Sequence, residues 1–291
     1  MPEIAPLDMN KISRLIDLAI EEDYGQGDPT SELTVEPGVK SHTRLVAREP
    51  LVVCGMDVVR EVLKRYDESL ELIVVSQDAA SISRGDVIAE IYGPLRQMLS
   101  AERVALNFLQ RLSGVATKTA QYVKEVQGTK AKILDTRKTT PGWRELEKYA
   151  VRCGGGMNHR YNLGDGVMLK DNHFAHMGAK HKDELEEFAK KAHQHGGLKF
   201  VCIEVDDIET QLPIVLSAAG VDIILLDNMT CPQLRQAVKM RDENPGHKPL
   251  LEASGGITLA TLRDVAETGV DRISIGAVTH SAVSIDIGLD K

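Results

Sequence analysis

The chain has 291 residues, 42% of them hydrophobic, which is enough for one large domain or two modest ones. Its net charge of −8 argues against general nucleic-acid binding, because that function requires a basic surface. It has no run of about 18 apolar residues, so we expect no membrane span. Residues 1–5 carry no basic segment with a long apolar stretch behind it, which predicts a cytoplasmic rather than a secreted protein.

The residues that most often bind transition metals show no motif spacing. The cysteines are Cys54, Cys153, Cys202 and Cys231. With no C-x-x-C pair among them, we expect neither a zinc site nor a disulfide framework, and we expect all four to pack as small apolar residues in a reducing compartment. His173 and His176 could bind a metal, but no third ligand lies at a matching spacing, so loop hydrogen bonds are the favoured interpretation.

The first third of the chain is predicted to be mixed α/β. An apolar face from Ile12 to Ile20 predicts a helix over 11–22, and the Gly/Pro/Asp-rich segment 23–30 predicts a loop. The further elements expected here are strands near 43–48, 71–75 and 86–92, a helix over 57–66 and a long helix over 98–127. Ser113 and Gly114 predict a break or kink in that long helix.

From about residue 130 a regular rhythm begins, in which short apolar runs end in a polar residue or glycine and helix-length segments separate them. The runs are 133–135, 167–170, 201–204, 223–227, 250–254 and 273–276. From Lys170 onward their end-points recur at intervals of 34, 23, 27 and 22 residues, which suits βα units with buried parallel strands. We predict an atypical TIM-like α/β barrel, with six visible strands and a site at their carboxyl ends. A doubly wound sheet is the alternative.

Residues 130–173 form a basic island in an acidic protein. They contain nine Lys/Arg and five Asp/Glu, a net charge of +4, so the rest of the chain carries −12. Such an island can steer and concentrate a small, highly charged anion. Part of these charges, including those from Arg144 to Lys148, is equally well explained as the solvated face of a helix.

Cations follow two of the predicted strands. Arg137 and Lys138 come directly after the run that ends at Asp135, and cations there are costly to desolvate unless an anion meets them. A structural salt bridge back to Asp135 is the alternative. Lys170 ends the next run.

Three consecutive glycines precede another cationic pair. Residues 154–156 would let backbone amides approach a ligand closely, and His159 and Arg160 follow them. Arginine offers a planar fork that suits a carboxylate or a phosphate.

Carboxylates and glycines end the later strands. Glu204 and Asp227 terminate successive runs, so their carboxylates would meet at one mouth of a parallel barrel and suit Mg²⁺, which also takes substrate phosphate oxygens. Pairing with nearby Arg and Lys is the alternative. The last two runs are followed by residues suited to a phosphate held on backbone amides, or to tight turns alone. These residues are Ser254, Gly255, Gly256 and Gly276.

Nine motifs along essentially the whole chain share the order and spacing of one enzyme family. They are residues 21–28, Asp135-Thr136-Arg137-Lys138-Thr139, Gly154-Gly155-Gly156-Met157-Asn158-His159-Arg160, Lys170-Asp171-Asn172-His173, Glu204-Val205-Asp206, Leu226-Asp227-Asn228, Glu252-Ala253-Ser254-Gly255-Gly256, Ile275-Gly276-Ala277 and residues 286–288. Together they resemble the type II quinolinate phosphoribosyltransferases.

The resemblance implies a fold, a reaction and an assembly. The fold would be an N-terminal α/β sandwich, residues 1–115 completed by 277–291, and an open or seven-stranded α/β barrel over 116–276. The reaction would join quinolinate to 5-phosphoribosyl 1-diphosphate with Mg²⁺, giving nicotinate mononucleotide, diphosphate and CO₂ for NAD biosynthesis. The assembly would be a homodimer or a hexamer built as a trimer of dimers, with shared active sites.

The resemblance also implies roles for individual residues. Quinolinate would be held by Arg103, Arg137, Lys138, His159, Arg160 and Lys170. Arg103 would reach its site from a partner subunit. Glu204 and Asp227 would serve Mg²⁺, directly or indirectly, and the ribose hydroxyls. The 5-phosphate would lie among Ser254, Gly255, Gly256 and Gly276.

Three other functions compete with this interpretation. A nicotinate phosphoribosyltransferase, or a relative using another pyridine, would share the phosphate and magnesium parts but would not need so many cations. A Schiff-base aldolase would also place a lysine, here Lys170, at the end of a barrel strand. A non-catalytic phosphate-binding module would not require the paired carboxylates Glu204 and Asp227.

Overall fold

The computed structural model describes residues 4–170, 173 and 182–291, which form two compact units. Unit 1 is drawn from Met1–Ala120, Thr139–Gly156 and Val278–Lys291, and unit 2 from Gln121–Lys138 and Met157–Ala277. The domain boundaries expected from the sequence, at 115/116 and 276/277, stay predictions. Within the described ranges, every helix is too short or too polar to span a bilayer.

The described residues form both helices and strands, which alternate regularly from Lys132 onward. The helices are α1 (Met9–Tyr24), α2 (Pro29–Thr34), α3 (Met56–Tyr66), α4 (Leu95–Glu125), α5 (Arg144–Cys153), α6 (Lys182–Gln194), α7 (Gln211–Ser217), α8 (Cys231–Glu243), α9 (Leu259–Ala266) and α10 (Ala277–His280). The strands are β1 (Lys40–Ala47), β2 (Leu51–Val52), β3 (Glu71–Val74), β4 (Ser81–Ile82), β5 (Val87–Pro94), β6 (Lys132–Leu134), β7 (Val167–Leu169), β8 (Val201–Val205), β9 (Ile223–Asp227), β10 (Leu250–Ser254), β11 (Arg272–Ser274) and β12 (Ile287–Asp290).

Unit 1 contains a four-stranded antiparallel sheet in the order β12-β1-β5-β3. The strand nearest the end of the chain, β12, pairs with β1 so that Leu45 lies opposite Leu289. The apolar faces of α1 and α3 are buried, including Ile12 and Ile16 of α1. The predicted helices over 11–22 and 57–66 and the three predicted strands of this region are confirmed.

The predicted loop over 23–30 ends two residues too late, because α2 begins at Pro29. Asp28 caps this helix by accepting a hydrogen bond from the Ser31 backbone N–H at 3.0 Å. Proline at the first helical position has a φ angle suited to the helix and no N–H that would need a partner. Asp28-Pro29 is therefore a helix start rather than part of the loop.

The prediction that the long helix breaks at Ser113 and Gly114 is wrong, because α4 continues through both residues. Both residues serve neighbouring segments of unit 1. The Ser113 hydroxyl accepts a hydrogen bond from the Cys54 N–H at 3.1 Å. A Cβ on Gly114 would lie 1.9 Å from the Val283 carbonyl oxygen. The glycine therefore admits the C-terminal segment to the helix surface.

Replacing Gly114 with alanine should destabilise the protein, although alanine in a helix normally stabilises by about 1 kcal/mol relative to glycine. The new methyl group would force the helix and the Val283 carbonyl apart. Overpacking of this kind costs about 1–3 kcal/mol, so we expect the free energy of unfolding to fall in urea denaturation. An unchanged or raised midpoint would show that the helix does not need the glycine.

The charges from Arg144 to Lys148 were open to interpretation as a solvated helix face, and this interpretation is wrong for two of them. Glu147 is fully buried and Lys148 is 2% exposed. The Glu147 carboxylate lies 2.5 Å from the Arg111 guanidinium and accepts a hydrogen bond from the Thr140 hydroxyl at 2.9 Å. A buried carboxylate needs such partners, so these charges belong to the interior of unit 1.

The cysteines carry free thiols. Cys54, Cys153 and Cys202 are buried, as predicted, and Cys231 is half-buried. Burial raises the pKa of the Cys54 and Cys202 thiols. The sequence spacing did not reveal that Cys54 and Cys153 meet, with one oxygen of Asp78 and both sulfurs within 4.8 Å of one another. Asp78 also accepts a hydrogen bond from the Tyr149 hydroxyl at 2.7 Å and caps the start of α3.

Unit 2 contains six parallel strands in the order β6-β11-β10-β9-β8-β7. Each strand from β8 onward pairs with its predecessor, and the first strand, β6, pairs with the last, β11. From β7 to β11 and on to β6, neighbouring strands therefore follow one direction around the sheet, whereas in a doubly wound sheet the strand order changes direction at one point. The strands form an α/β barrel that is open between β6 and β7. At the open side Met157 adds a parallel bridge to Leu134 of β6. The six predicted strands are confirmed.

Candidate active site

The polar residues predicted at strand ends meet at one mouth of the barrel. Lys170 follows β7, Glu204 lies near the end of β8, and Asp227 and Ser254 end β9 and β10. Asp227 and Ser254 are register partners on adjacent strands. Because parallel strands present their carboxyl ends on the same side, residues far apart in the chain line one cavity.

This cavity has a volume of about 290 Å³. It is lined by Thr136, Arg137, Lys138, His159, Arg160, Met168, Lys170, Glu204, Leu225, Asp227, Glu252, Ser254 and Ser274. Eight of the twelve predicted site residues are among them. Gly255 and Gly256 follow Ser254 directly, and Gly276 follows β11.

Four cations face the cavity: Arg137, Lys138, Arg160 and Lys170. Arg160 donates a hydrogen bond to the Gly166 carbonyl at 2.9 Å, which fixes part of its guanidinium. Burial and the nearby charge of Arg137 lower the pKa of Arg160. Two half-buried guanidinium groups repel each other unless an anion lies between them. The arrangement therefore favours a ligand with several negative charges.

The histidine of the site is held by the protein on several sides. Its backbone N–H donates to Asp135 Oδ1 at 2.8 Å, and Asn158 Nδ2 donates to the other oxygen of the same carboxylate at 2.8 Å. His159 Nδ1 accepts a hydrogen bond from the Arg160 N–H at 2.7 Å. In the neutral ring the proton is then on Nε2, which lies 3.2 Å from Glu252 Oε1. His159 thus fixes the backbone that carries Arg160.

Glu252 is a site residue that the sequence did not single out. Its side chain is fully buried, and Arg272 Nε donates to its Oε2 at 2.7 Å. Burial alone would raise the pKa of Glu252, but His159 and Arg272 outweigh this effect and lower it. The sequence could have indicated this role. Side chains alternate between the two faces of a strand, and Glu252 precedes Ser254 by two residues, so both point to the same side.

Three carboxylates lie side by side at the carboxyl ends of β8 and β9. One oxygen from each of Glu204, Asp206 and Asp227 lies within 4.8 Å of the others. The Glu204 carboxylate also forms an ion pair with the Lys170 ammonium. The predicted pairing of strand-end carboxylates is therefore found together with its alternative, pairing with a lysine. Asp206 was not predicted as a ligand, although it lies in the same sequence motif as Glu204.

The turn after β10 has a backbone that favours glycine. Gly255 and Gly256 have φ angles of +91° and +60°. The first of them lies against Asn228, since a Cβ there would be 2.2 Å from Asn228 Oδ1, whereas a Cβ on Gly256 would meet nothing within 4 Å. Gly256 therefore faces open space beside Ser254, where an anion could reach the main chain.

Two sets of predicted site residues lie elsewhere. Arg103 is exposed on α4, in unit 1. His173 is exposed, and its Nδ1 accepts a hydrogen bond from the Lys170 N–H at 3.1 Å. This is the kind of loop hydrogen bond that the sequence favoured over a metal site. Asp171, Asn172 and His176 lie outside the described residues, so the same expectation for His176 stays a prediction.

The fold and the site define an α/β-barrel protein whose mouth is built for a polyanionic small molecule. Residues 28–113 match the N-terminal domain of quinolinate phosphoribosyl transferase, and residues 115–290 match its C-terminal domain. The probable nicotinate-nucleotide pyrophosphorylase (carboxylating) of Bacillus subtilis is 42% identical over 281 residues, covering 96% of this chain and 93% of that protein. The chain belongs to the quinolinate phosphoribosyl transferase family.

Solved structures give the same result. The nicotinate-nucleotide pyrophosphorylase of Francisella tularensis is 34% identical with a TM-score of 0.88, covering 100% of this chain and 99% of its own. NadC from Streptococcus pyogenes is 35% identical with a TM-score of 0.89, covering 99% and 98%. Human nicotinic acid phosphoribosyltransferase, at 12% identity and a TM-score of 0.60 over 98% of this chain and 74% of its own, shares the fold alone.

Proposed function

We propose that this protein transfers the phosphoribosyl group of 5-phosphoribosyl 1-diphosphate to quinolinate, releasing diphosphate and CO₂ and forming nicotinate mononucleotide for NAD biosynthesis. The observation that carries the proposal is one cavity lined by four cations, Arg137, Lys138, Arg160 and Lys170, and by the strand-end carboxylates Glu204 and Asp227. Quinolinate brings two carboxylates to the cations, and the second substrate brings phosphates. The relatives named above are pyrophosphorylases of this product.

The cations that line the cavity support quinolinate as the acceptor. Arg137 and Arg160 offer guanidinium forks that match carboxylates, and Lys138 and Lys170 add point charges. Lys170 is oriented by its ion pair with Glu204. His159 contributes mainly by holding the backbone of Arg160, since its Nδ1 already accepts a hydrogen bond and its Nε2 faces Glu252.

The cluster of three carboxylates supports a magnesium-dependent donor substrate. Glu204, Asp206 and Asp227 supply hard oxygen ligands close together, which fits Mg²⁺, an ion usually bound by one or two carboxylates and substrate phosphates. When bound, the ion would offset charge on the diphosphate. Ser254, Gly255, Gly256 and Gly276 are the proposed cradle for the 5-phosphate.

The reaction requires positioning and charge compensation from the chain. The ring nitrogen of quinolinate displaces diphosphate from the ribose C1 through an oxocarbenium-like state, so the cations must hold the ring in line with that carbon. Loss of CO₂ then leaves an electron pair on the ring carbon beside the cationic nitrogen, and a proton taken up from water at that carbon gives nicotinate mononucleotide. The pyridinium is itself the electron sink, so neither an enzyme nucleophile nor an organic cofactor is required.

The assembly and location proposed for the enzyme follow from the family resemblance. We propose a homodimer, or a trimer of dimers, in which Arg103 of one subunit completes the quinolinate site of its partner. Arg103 is exposed on α4, as such a role requires. We propose a cytoplasmic location.

The aldolase alternative is disfavoured by the surroundings of Lys170. A Schiff-base lysine is activated by an apolar pocket or by another cation beside it. Lys170 lies in a polar cavity, and its ammonium group is occupied by an ion pair with the Glu204 carboxylate. Borohydride with a carbonyl substrate should therefore leave the protein unmodified.

One assay tests the proposed function. Purified protein with quinolinate, 5-phosphoribosyl 1-diphosphate and Mg²⁺ should release nicotinate mononucleotide and CO₂ in equal amounts. An absence of both products, from protein shown to be folded by its thermal transition, would overturn the proposal.

Replacing Glu204 or Asp227 with alanine should mainly damage use of the donor substrate. We expect the KM for 5-phosphoribosyl 1-diphosphate to rise about 10–100-fold and the Mg²⁺ dependence of the rate to shift to higher concentration, because an oxygen ligand is lost. Calorimetry of quinolinate alone should still detect binding to Asp227→Ala. Glu243→Ala, which removes an exposed carboxylate from the end of α8, is the matched control. If quinolinate binding is lost while the Mg²⁺ response is unchanged, the two halves of the site have been assigned the wrong way round.

A further inference from the structure

We propose that Asn228 is a positioning residue, which holds the carboxylate of Asp227 and the turn 254–256 in one fixed arrangement. The inference rests on the proposed function, because these two groups form the donor half of the proposed site. Asn228 itself does not line the cavity. It is exposed and directly follows β9, where its backbone contacts Ser254 and its side chain contacts both Asp227 and Gly255.

The backbone of Asn228 is in the left-handed region, with a φ angle of +52°. Among the described residues the other non-glycine with positive φ is Ala79, at +69° in unit 1. This conformation is costly for most side chains, and asparagine tolerates it better than others. It turns the chain sharply after Asp227, so that the Asn228 N–H donates to the Ser254 carbonyl at 2.9 Å. The strained backbone therefore extends the β9–β10 pairing by one hydrogen bond.

The side chain of Asn228 bridges the same two groups. Its Nδ2 donates to Asp227 Oδ2 at 2.6 Å, which fixes the rotamer of that carboxylate. Its Oδ1 lies against Gly255, where a Cβ would be only 2.2 Å away. Glycine is consequently required at position 255 for two reasons. Its φ angle is +91°, and Asn228 fills the space that a side chain would occupy.

A single residue thus couples the two places that the donor substrate must contact together. Asp227 would face the ribose hydroxyls or the metal ion, and the turn 254–256 would face the 5-phosphate. If either shifts relative to the other, a ligand that spans both loses affinity, because sites of this kind tolerate only small misplacements. Quinolinate, which the cations of the cavity would hold, should be affected far less.

Three substitutions separate the contributions of Asn228. Asn228→Gly removes the side chain but keeps the left-handed backbone free of strain. Asn228→Asp keeps the shape and the tolerance for positive φ but places an oxygen where Nδ2 donates to Asp227, so two carboxylates repel. Asn228→Ala removes the side chain and adds backbone strain. Ala79→Gly is the matched control, since it also replaces a non-glycine at positive φ, away from this turn.

Kinetics and binding give the decisive measurements. We expect the KM for 5-phosphoribosyl 1-diphosphate to rise about 10–100-fold in Asn228→Gly and at least as much in Asn228→Asp. The Kd of quinolinate from calorimetry should stay within about twofold, and Ala79→Gly should match the wild type in both. Asn228→Ala should add a lower thermal midpoint to the same KM change.

Two outcomes would overturn the inference. One is a wild-type KM for the donor in both Asn228→Gly and Asn228→Asp. The other is an equal loss of affinity for both substrates with a falling thermal midpoint, which would indicate a general structural role. If wild-type protein makes no nicotinate mononucleotide at all, the proposed function fails instead. In that case direct calorimetry of the donor with Mg²⁺, wild type against Asn228→Gly, still decides the role of Asn228.

Discussion

Quinolinate should be converted at least about 10³-fold more efficiently than nicotinate, measured as kcat/KM with saturating 5-phosphoribosyl 1-diphosphate and Mg²⁺. Nicotinate lacks one of the two carboxylates of quinolinate. The cavity would then offer Arg137, Lys138, Arg160 and Lys170 only one carboxylate of the acceptor. Burial and the charge of Arg137 lower the pKa of Arg160, so an anion bound beside this guanidinium group would be favoured.

The fold cannot decide between the two substrates, because the human nicotinic acid phosphoribosyltransferase shares it. The number of cations can. In Lys138→Ala the preference for quinolinate should shrink by about tenfold or more, since one cation is removed from the cavity. Lys132→Ala, which removes an exposed cation of β6 from the same basic stretch, should keep the full preference. Comparable turnover of nicotinate and quinolinate by the wild type would refute the proposed acceptor.

The barrel and most of its mouth could be predicted because each strand carries its own signal. The strand Val201–Val205 is buried throughout, and a charged residue in such a run is costly unless it faces a site. Glu204 and Asp227 could therefore be assigned to the mouth from the sequence alone. The strand order, which excludes a doubly wound sheet, could not be assigned in this way, because periodicity carries no information about neighbours.

What the sequence did not reveal depends on contacts between distant segments. Glu252 is a site residue because Arg272 and His159 meet it. Arg272 becomes its neighbour through the register of β10 and β11, and His159 comes from the segment that follows α5. Glycine at position 114 suggests a helix break, but its role is to make room for Val283, which lies near the C-terminal end of the chain. Glu147 lies in a charged stretch that is typical of a solvated helix face, but its carboxylate pairs with Arg111. Local patterns predict elements, whereas these roles are set by packing.

Two inactive variants, Arg103→Ala and Lys170→Ala, should recover activity when their subunits are mixed. On α4 the side chains of Ala101, Val104 and Phe108 are buried, whereas Arg103 lies on the exposed side of the same helix. An arginine on such a face is available to a second subunit, and in the proposed assembly it completes the partner's quinolinate site. Each variant alone then lacks one carboxylate contact in every site and should be nearly inactive.

In a mixed dimer the two lesions fall into the same site. The subunit with intact Lys170 borrows Arg103 from its partner and has a complete site, while the other site carries both substitutions. Random exchange of equal amounts makes half of the dimers mixed, so about one quarter of the wild-type activity should return. If Arg103 served its own subunit, every site would keep one lesion and mixing would restore nothing. Native mass spectrometry of the exchanged sample distinguishes that result from a failure of the subunits to exchange.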